Sequence, residues 1–183
     1  MRKTKETIRK ESLRILKNQD RKEGLRKSGI IKKKLFSLPE FKKAGLVMFY
    51  ASKPEEVDTS DMIREALEMG KRVALPRCTG QGDIVPKEIK EIHADLEKSS
   101  FGIYEPRQSQ EDVRLEEIDL VVVPGVAFDK KQNRLGRGKG YYDRFLKKLP
   151  KKTFRAGLSF RLQITENLPK DLQDIPVSKV ITD

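Results

Sequence analysis

Between Asn133 and Leu146 the chain reads NRLGRGKGYYDRFL, and from Arg134 to Tyr142 it places three glycines, three basic residues and two adjacent tyrosines, with Asp143 next. Glycine-rich backbone can wrap closely around phosphate oxygens, and a helix start adds unpaired N–H groups and a positive dipole end. Arg134, Arg137 and Lys139 supply the cations. At a separation of about 4 Å, one charge pair in a partly screened site contributes roughly 4 kcal/mol before desolvation. Asp143, four residues after Lys139, is expected on the same helical face, where it could bind magnesium directly or through water. Tyr141 and Tyr142 cannot face the same way on a helix, so one can stack on a flat ring or donate its hydroxyl while the other packs. The string matches neither G-x-x-x-x-G-K-[ST] nor G-x-G-x-x-G. A flexible turn with solvated charges and an arginine–glycine RNA contact stay open beside the phosphate loop. The residues by themselves reach as far as magnesium-assisted binding of a phosphorylated ligand.

The elements around this loop favour the phosphate reading. IDLVVVPG, residues 118–125, reads as a strand buried on both faces, and the loop lies past its carboxyl end. GLVMFY at 45–50 is a second such strand, and RVALP, stopped by Pro76, a third. FRAGLSF and VSKVITD supply further strands near the C-terminus. Helices are expected over residues 3–20, with Ile8, Ile15 and Leu16 inward, and over about 22–36, with Leu25, Ser28, Ile31 and Leu35 inward. Another is capped by Asp58, Thr59 or Ser60, turns Met62, Ile63, Ala66, Leu67 and Met69 to a core, and ends at Gly70. A helix over KGYYDRFLKKLP ends at Pro150. The stretch 82–106 reads as two short strands or a hairpin, then a loop with Gly102 and Pro106. Alternating strands and helices imply a three-layer αβα domain with a mainly parallel sheet, in which ligands gather beyond the carboxyl ends of the strands.

Bulk composition narrows the chemistry. With 36% hydrophobic and 37% charged residues, the 183-residue chain can fill one core under an ionic surface. No apolar run approaches a bilayer span, and the basic N-terminus lacks the apolar core of a signal peptide. One cysteine, Cys78, excludes an internal disulfide and fits a reducing compartment. One histidine, His93, leaves no Cys/His metal set and argues against a Ser-His-Asp triad, so a metal would need oxygen ligands, which points to magnesium. The net charge of +12 is uneven: residues 1–34 hold 14 bases against 4 acids, residues 129–152 hold 10 against 2, and residues 84–119 hold 10 acids against 5 bases. Two basic regions separated by an acidic one can converge on a single polyanion, whereas a nucleic-acid binder needs no acidic middle. Abundant Lys and Glu also occur as ion-pair networks that need no ligand.

The longer string VVVPGVAFDKKQNRLGRGKGYYDRFL, Val121–Leu146, strongly resembles the signature of the 5-formyltetrahydrofolate cyclo-ligase family. Lys5 and Arg9 on a basic first helix, FYASKPEEVDT after the first strand and FGIYEP before the signature strand support the resemblance along nearly the whole chain. It implies one αβα domain over 1–183, NagB/RpiA/CoA transferase-like, in a cytoplasmic monomer or weak homo-oligomer with no nucleic-acid or membrane partner. It also implies an activity: ATP-driven closure of 5-formyltetrahydrofolate to 5,10-methenyltetrahydrofolate, with magnesium as cofactor and ADP and phosphate released. Phosphorylation of the formyl oxygen makes it a leaving group, and N10 attacks the carbon. Holding a triphosphate in line with that oxygen is an orientation problem, and needs no catalytic histidine.

Carried onto this sequence, the resemblance assigns ATP to Lys5, Arg9 and the loop Arg134, Leu135, Gly136, Arg137, Gly138, Lys139, Gly140, Tyr141 and Tyr142. It makes Arg137 and Lys139 catalytic and places Arg137–Tyr141, Ala51 and Glu56 against the folate. Glu56 would accept the pterin's amino and ring N–H groups. Asp143 and Asp174 would bind the metal, with Asp171 nearby. Taken without the family, Lys5, Arg9 and Glu56 read more readily as solvated charges. Tyr104 stands where the family usually has Pro, and Ala51 is smaller than its usual apolar residue; both bear on the folate pocket. Two other readings remain beside the ligase: a basic RNA- or nucleotide-binding module, and a sugar-phosphate isomerase that needs no ATP.

Overall fold

The computed structural model describes residues 4–99 and 103–183; Gly102 lies outside them. The helices are α1 (Lys5–Lys17), α2 (Arg21–Ser37), α3 (Pro39–Lys43), α4 (Ser60–Glu68), the single turn α5 (Ile92–Asp95) and α6 (Tyr141–Lys148). The strands are β1 (Leu46–Met48), β2 (Arg72–Cys78), β3 (Ile84–Ile89), β4 (Leu96–Lys98), β5 (Tyr104–Pro106), β6 (Leu120–Val123), β7 (Ala127–Asp129), β8 (Arg134–Leu135), β9 (Phe154–Ser159), β10 (Ile164–Thr165) and β11 (Lys179–Thr182). Six of them form one sheet in the order β11-β9-β6-β1-β2-β3, parallel throughout except for β3 at one edge. Small sheets β10-β7-β8 and β4-β5 lie beside it.

Strand side chains alternate between two cores, as the pleat requires. Leu120 and Val122 of β6 face one, with Ile31 and Leu35 of α2 and Met62 and Ala66 of α4. Val121 and Val123 face the other, with Phe145 and Leu146 of α6 and Phe128 of β7. Helices therefore cover both faces, giving the three-layer α/β arrangement. Full burial of each such valine contributes about 1.5–3 kcal/mol, which is why an uninterrupted apolar run marks a central strand. Among the described residues no helix is long and apolar enough to cross a membrane.

Local chemistry sets the boundaries. Thr4 caps α1 by accepting from Thr7 N–H, and Asp20 caps α2 by accepting from Glu23 N–H. α1 ends at Lys17, short of the expected residue 20, while α2 fills the expected 22–36 and extends one residue beyond it at each end; some expected core residues face solvent. The buried stripe of α1 is Ile8, Ser12 and Leu16; Ile15 lies just past its edge and is 43% exposed. Leu25 is a quarter-turn off the Ser28–Ile31–Leu35 stripe and is 50% exposed, and Met69 caps α4 in solvent rather than in the core. Thr59, not Asp58 or Ser60, holds the cap position of α4, without a side-chain cap bond; Asp58 accepts from Ser60 N–H instead. Pro76 does not stop β2. It faces Pro86 across the antiparallel β2–β3 pair, at a position that exchanges no ladder hydrogen bonds, so neither missing N–H matters.

Candidate functional site

The carboxyl ends of β1, β2 and β6 open into one cleft of about 240 Å³. Tyr50 and Ala51 follow β1, Cys78 ends β2, and Pro124 and Gly125 follow β6; all line it. The β7–β8 hairpin then brings the chain back. Its turn is wound around the buried Asp129 carboxylate, which accepts from Lys131 N–H, Asn133 N–H and Asn133 Nδ2 at 2.9–3.0 Å, and from Leu168 N–H at 3.0 Å. Burial opposes the charge, but these donors hold the carboxyl below its ordinary range. Arg134 is thereby delivered to the cleft as the first residue of the glycine loop.

Two glycines shape the loop's exit. Gly138 (φ 101°) lies under the Arg9 guanidinium, and Gly140 (φ 69°) sits immediately before α6 in left-handed backbone that side chains rarely adopt. Because α6 starts only at Tyr141, Lys139 is outside the helix. The expected sharing of one helical face by Lys139 and Asp143 is therefore corrected: the left-handed turn at Gly140 separates them. Tyr142 packs against both cores, edge-on to Phe145 with 6.4 Å between centroids, while Tyr141 lies against the Arg144 guanidinium at 5.4 Å.

The site's charges are arranged as matched pairs. Arg134, almost wholly buried, donates to Asp143 Oδ1 at 2.8 Å, and Ile175 N–H reaches the same oxygen at 3.3 Å. Arg137 donates through Nε and Nη2 to Glu56 Oε1 at 3.1 and 2.8 Å, and through Nη2 to Glu55 Oε1 at 2.8 Å. Lys5 of α1 is paired with Asp174 and, at 2.7 Å, with Asp171; Arg9 donates to Gly136 O at 2.9 Å. Ala51, Glu56, Arg134, Gly136, Arg137, Lys139, Gly140, Tyr141, Tyr142 and Asp143 all line the cleft. Lys5, Arg9, Leu135, Gly138 and Asp174 do not. Leu135 is buried with Ile8 and Ala127 and anchors α1 instead. Asp174 is tied to the Asp143 end through its neighbour Ile175 and feels the Arg134 charge.

Burial opposes ionisation of Asp174, but Asp171 N–H and Lys5 together hold its carboxyl below the ordinary range. A group depressed on folding stabilises the native state above its unfolded pKa and loses that contribution as pH falls through the folded value. Hydrogen exchange in α1 is therefore expected to stay slow from neutrality down through the ordinary carboxylate range, and to accelerate only below it. In Lys5→Ala, exchange in the first turns of α1 is expected to be fast already at neutral pH.

Another part of the cleft lining is chemically different. Tyr50 donates to Val57 O at 3.0 Å, and burial pushes its phenol well up. Burial, together with the neighbouring Glu105, pushes the Cys78 thiol up to about 11, so it is not a thiolate at neutral pH. Glu105 is only 4% exposed. Neither its Oε1 nor Tyr142 Oη meets a hydrogen-bond partner among the described residues. Of these residues, Tyr50 and Glu105 are not singled out by the sequence. Glu105 lies inside FGIYEP but reads as an ordinary strand-end acid, and Glu55, which shares Arg137, reads as the less important half of PEEVDT. Asp171 appears only as a neighbour of Asp174. Nothing in the one-dimensional pattern says that β5 turns its glutamate toward Cys78.

Comparison with known proteins agrees with this geometry. The model of the 5-formyltetrahydrofolate cyclo-ligase family matches residues 1–183. The 5-formyltetrahydrofolate cyclo-ligase of Mus musculus is 34% identical over 184 residues, covering 94% of this chain and 88% of the mouse protein. That of Escherichia coli K12 is 32% identical, covering 81% of this chain and 84% of its own. The NMR structure of Aquifex aeolicus 5,10-methenyltetrahydrofolate synthetase superposes with a TM-score of 0.87 at 39% identity, covering 97% of this chain and 89% of that one. The Mycoplasma pneumoniae synthetase, at 24% identity and a TM-score of 0.79, shares the fold. With the whole length matched and the glycine loop and the strand ends gathered at one cleft, the chain belongs to the 5-formyltetrahydrofolate cyclo-ligase family.

Proposed function

We propose that the chain, acting as one domain over 1–183 in the cytoplasm as a monomer or weak homo-oligomer, closes 5-formyltetrahydrofolate to 5,10-methenyltetrahydrofolate at the expense of ATP. The formyl oxygen attacks the γ-phosphorus, an O–P bond forms, and ADP leaves. N10 then attacks the activated carbon, the C–O bond breaks, phosphate departs with the former formyl oxygen, and N10 loses its proton to solvent. The observation that carries the reading is the convergence of glycine backbone, Arg134, Arg137 and Lys139 on a cleft whose lining also holds apolar side chains and carboxylates.

The paired charges define what each residue does. Arg137 turns from Glu56 toward the triphosphate when the pterin's N–H donors take over the Glu56 carboxylate, so the two substrates favour each other's binding. Lys139 and Arg137 neutralise charge on the transferring phosphoryl group, and Gly136–Gly140 lets the backbone approach it. Lys5 and Arg9 close the phosphate end from α1. Asp143 and Asp174 are an all-oxygen donor pair at that end, which fits magnesium shared with substrate phosphates. Bound there, magnesium would neutralise β- and γ-phosphate charge.

The test is optical. Purified protein mixed with 5-formyltetrahydrofolate and magnesium-ATP is expected to develop the methenyl-folate absorbance in step with ADP, and neither without ATP. Binding of ATP without the chromophore would leave the loop as a phosphate site and remove the folate half. A chromophore without ADP would remove the phosphoryl step.

A further inference from the structure

The mechanism above leaves one buried acid in the cleft unused. Glu105, on β5, lines the cleft beside Cys78. Its carboxyl takes hydrogen bonds from the thiol and backbone N–H of Cys78, but Oε1 has no partner among the described residues and is itself buried. Of the charged groups nearby, Lys139 of the glycine loop acts on the neighbouring Cys78, and the others are engaged elsewhere. Arg77 of β2 donates to Glu97 Oε1 at 2.7 Å and to Pro106 O, and Lys87 of β3 donates to Gln108 O, Gln110 O and Asp112 Oδ1. Glu97, directly opposite on β4, carries like charge. An ionised carboxylate with one oxygen bare of donors and of water is strongly disfavoured. A neutral carboxyl is the form such a pocket holds, and its hydroxyl then needs an acceptor.

We propose that Glu105 is a folate-binding residue that works as a neutral acid, donating its Oε1 hydroxyl to a carbonyl oxygen or ring nitrogen of the bound folate. This rests on the cyclo-ligase reading and deepens it: the pterin would be gripped by two glutamates of opposite character. Glu56, ion-paired to Arg137, accepts from N–H groups; Glu105 donates to an acceptor elsewhere on the ligand. Burial as the leading cause, with Glu97 adding to it, raises the Glu105 carboxyl above its ordinary range against the pull of Cys78 and Arg77, consistent with that role.

The experiment compares wild type, Glu105→Ala and Glu105→Gln, measuring KM and kcat for 5-formyltetrahydrofolate across pH and direct binding of that folate without ATP. In wild type, affinity for folate should fall as pH rises through the Glu105 pKa, because deprotonation turns a donor into a charged acceptor. Glu105→Ala should raise KM and the dissociation constant by about tenfold, with kcat changed less. Glu105→Gln, whose amide still donates, should recover most of that loss and flatten the dependence on pH. Should the alanine variant fail to fold, the pH profiles of wild type and the isosteric Gln variant still decide. Equal damage from Gln and Ala in folded proteins would mean that a carboxylate is required, and a Gln variant with the wild-type pH profile would place the titration elsewhere; either overturns the proposal. If wild type itself turns over no folate, the cyclo-ligase reading and this inference fail together; if wild type is active and Ala is indistinguishable from it, only the inference fails.

Discussion

Arg137→Ala is expected to lower turnover by roughly two to three orders of magnitude, the usual loss when a preorganised group facing developing charge is removed. The side chain is held in the cleft by Glu56 and Glu55 and is about one-third exposed. Its partners Glu55 and Glu56 are largely buried, so the thermal midpoint should fall, but by less than in Asp143→Ala, because Arg137 itself is partly solvated. The loss should appear in kcat as well as in the KM for ATP. Burial works against the guanidinium's charge, but Glu56 and Glu55 hold its pKa above the ordinary arginine value, so it stays charged at every working pH. Lys139→Ala should show a comparable fall, since its cation sits in the same loop. Arg137→Lys separates the two contributions: it keeps charge but loses the forked geometry, so it should recover only part of the activity. Near-normal turnover in both alanine variants, with folding intact, would remove the phosphate-cradle account.

Asp143→Ala is expected to combine two large effects. Arg134 has only 3% of its side chain exposed and its sole carboxylate partner among the described pairs is Asp143. Removing one partner of a buried pair leaves an uncompensated charge and costs about 3–5 kcal/mol. A midpoint measured by chemical denaturation should therefore fall clearly, and further than that of Arg137→Ala. On the proposed metal-binding role of Asp143, turnover should collapse too. Asp143→Asn keeps one oxygen for Arg134 and Ile175 N–H, so it should restore much of the stability while leaving turnover low. If Asn restores turnover as fully as stability, Asp143 is a structural partner of Arg134 and not a ligand of the reaction.

The contrast between these variants shows what could be read in one dimension. β6 was legible because every residue of Leu120–Val123 is apolar, and the loop because glycine and cations at that density after a buried strand have few other uses. The parallel core followed from the same logic. Legibility stopped where tertiary contact decides. Ile15 and Leu25 have the right residue type but lie just off the stripes set by Ile8–Leu16 and Ile31–Leu35. Pro76 reads as a strand end until Pro86 is seen opposite it. Spacing suggested Lys139 and Asp143 on one helical face, yet Gly140's positive φ ends that relationship, and Asp143 pairs with Arg134 nine residues back. The glutamates differ most. Glu56 and Glu105 are the same residue in acidic stretches, and only packing makes one an ion-pair acceptor and the other a buried carboxyl beside Cys78.

The central claim is that the formyl oxygen becomes the oxygen of the released phosphate. The direct measurement is to supply 5-formyltetrahydrofolate carrying a heavy oxygen isotope in its formyl group, run a single turnover with magnesium-ATP, and determine the mass of the phosphate. The account predicts one heavy oxygen in each phosphate formed, with none in ADP. Unlabelled phosphate with the heavy atom released to water would mean that ATP is hydrolysed without phosphorylating the formyl group, and the role given to the glycine loop would be wrong.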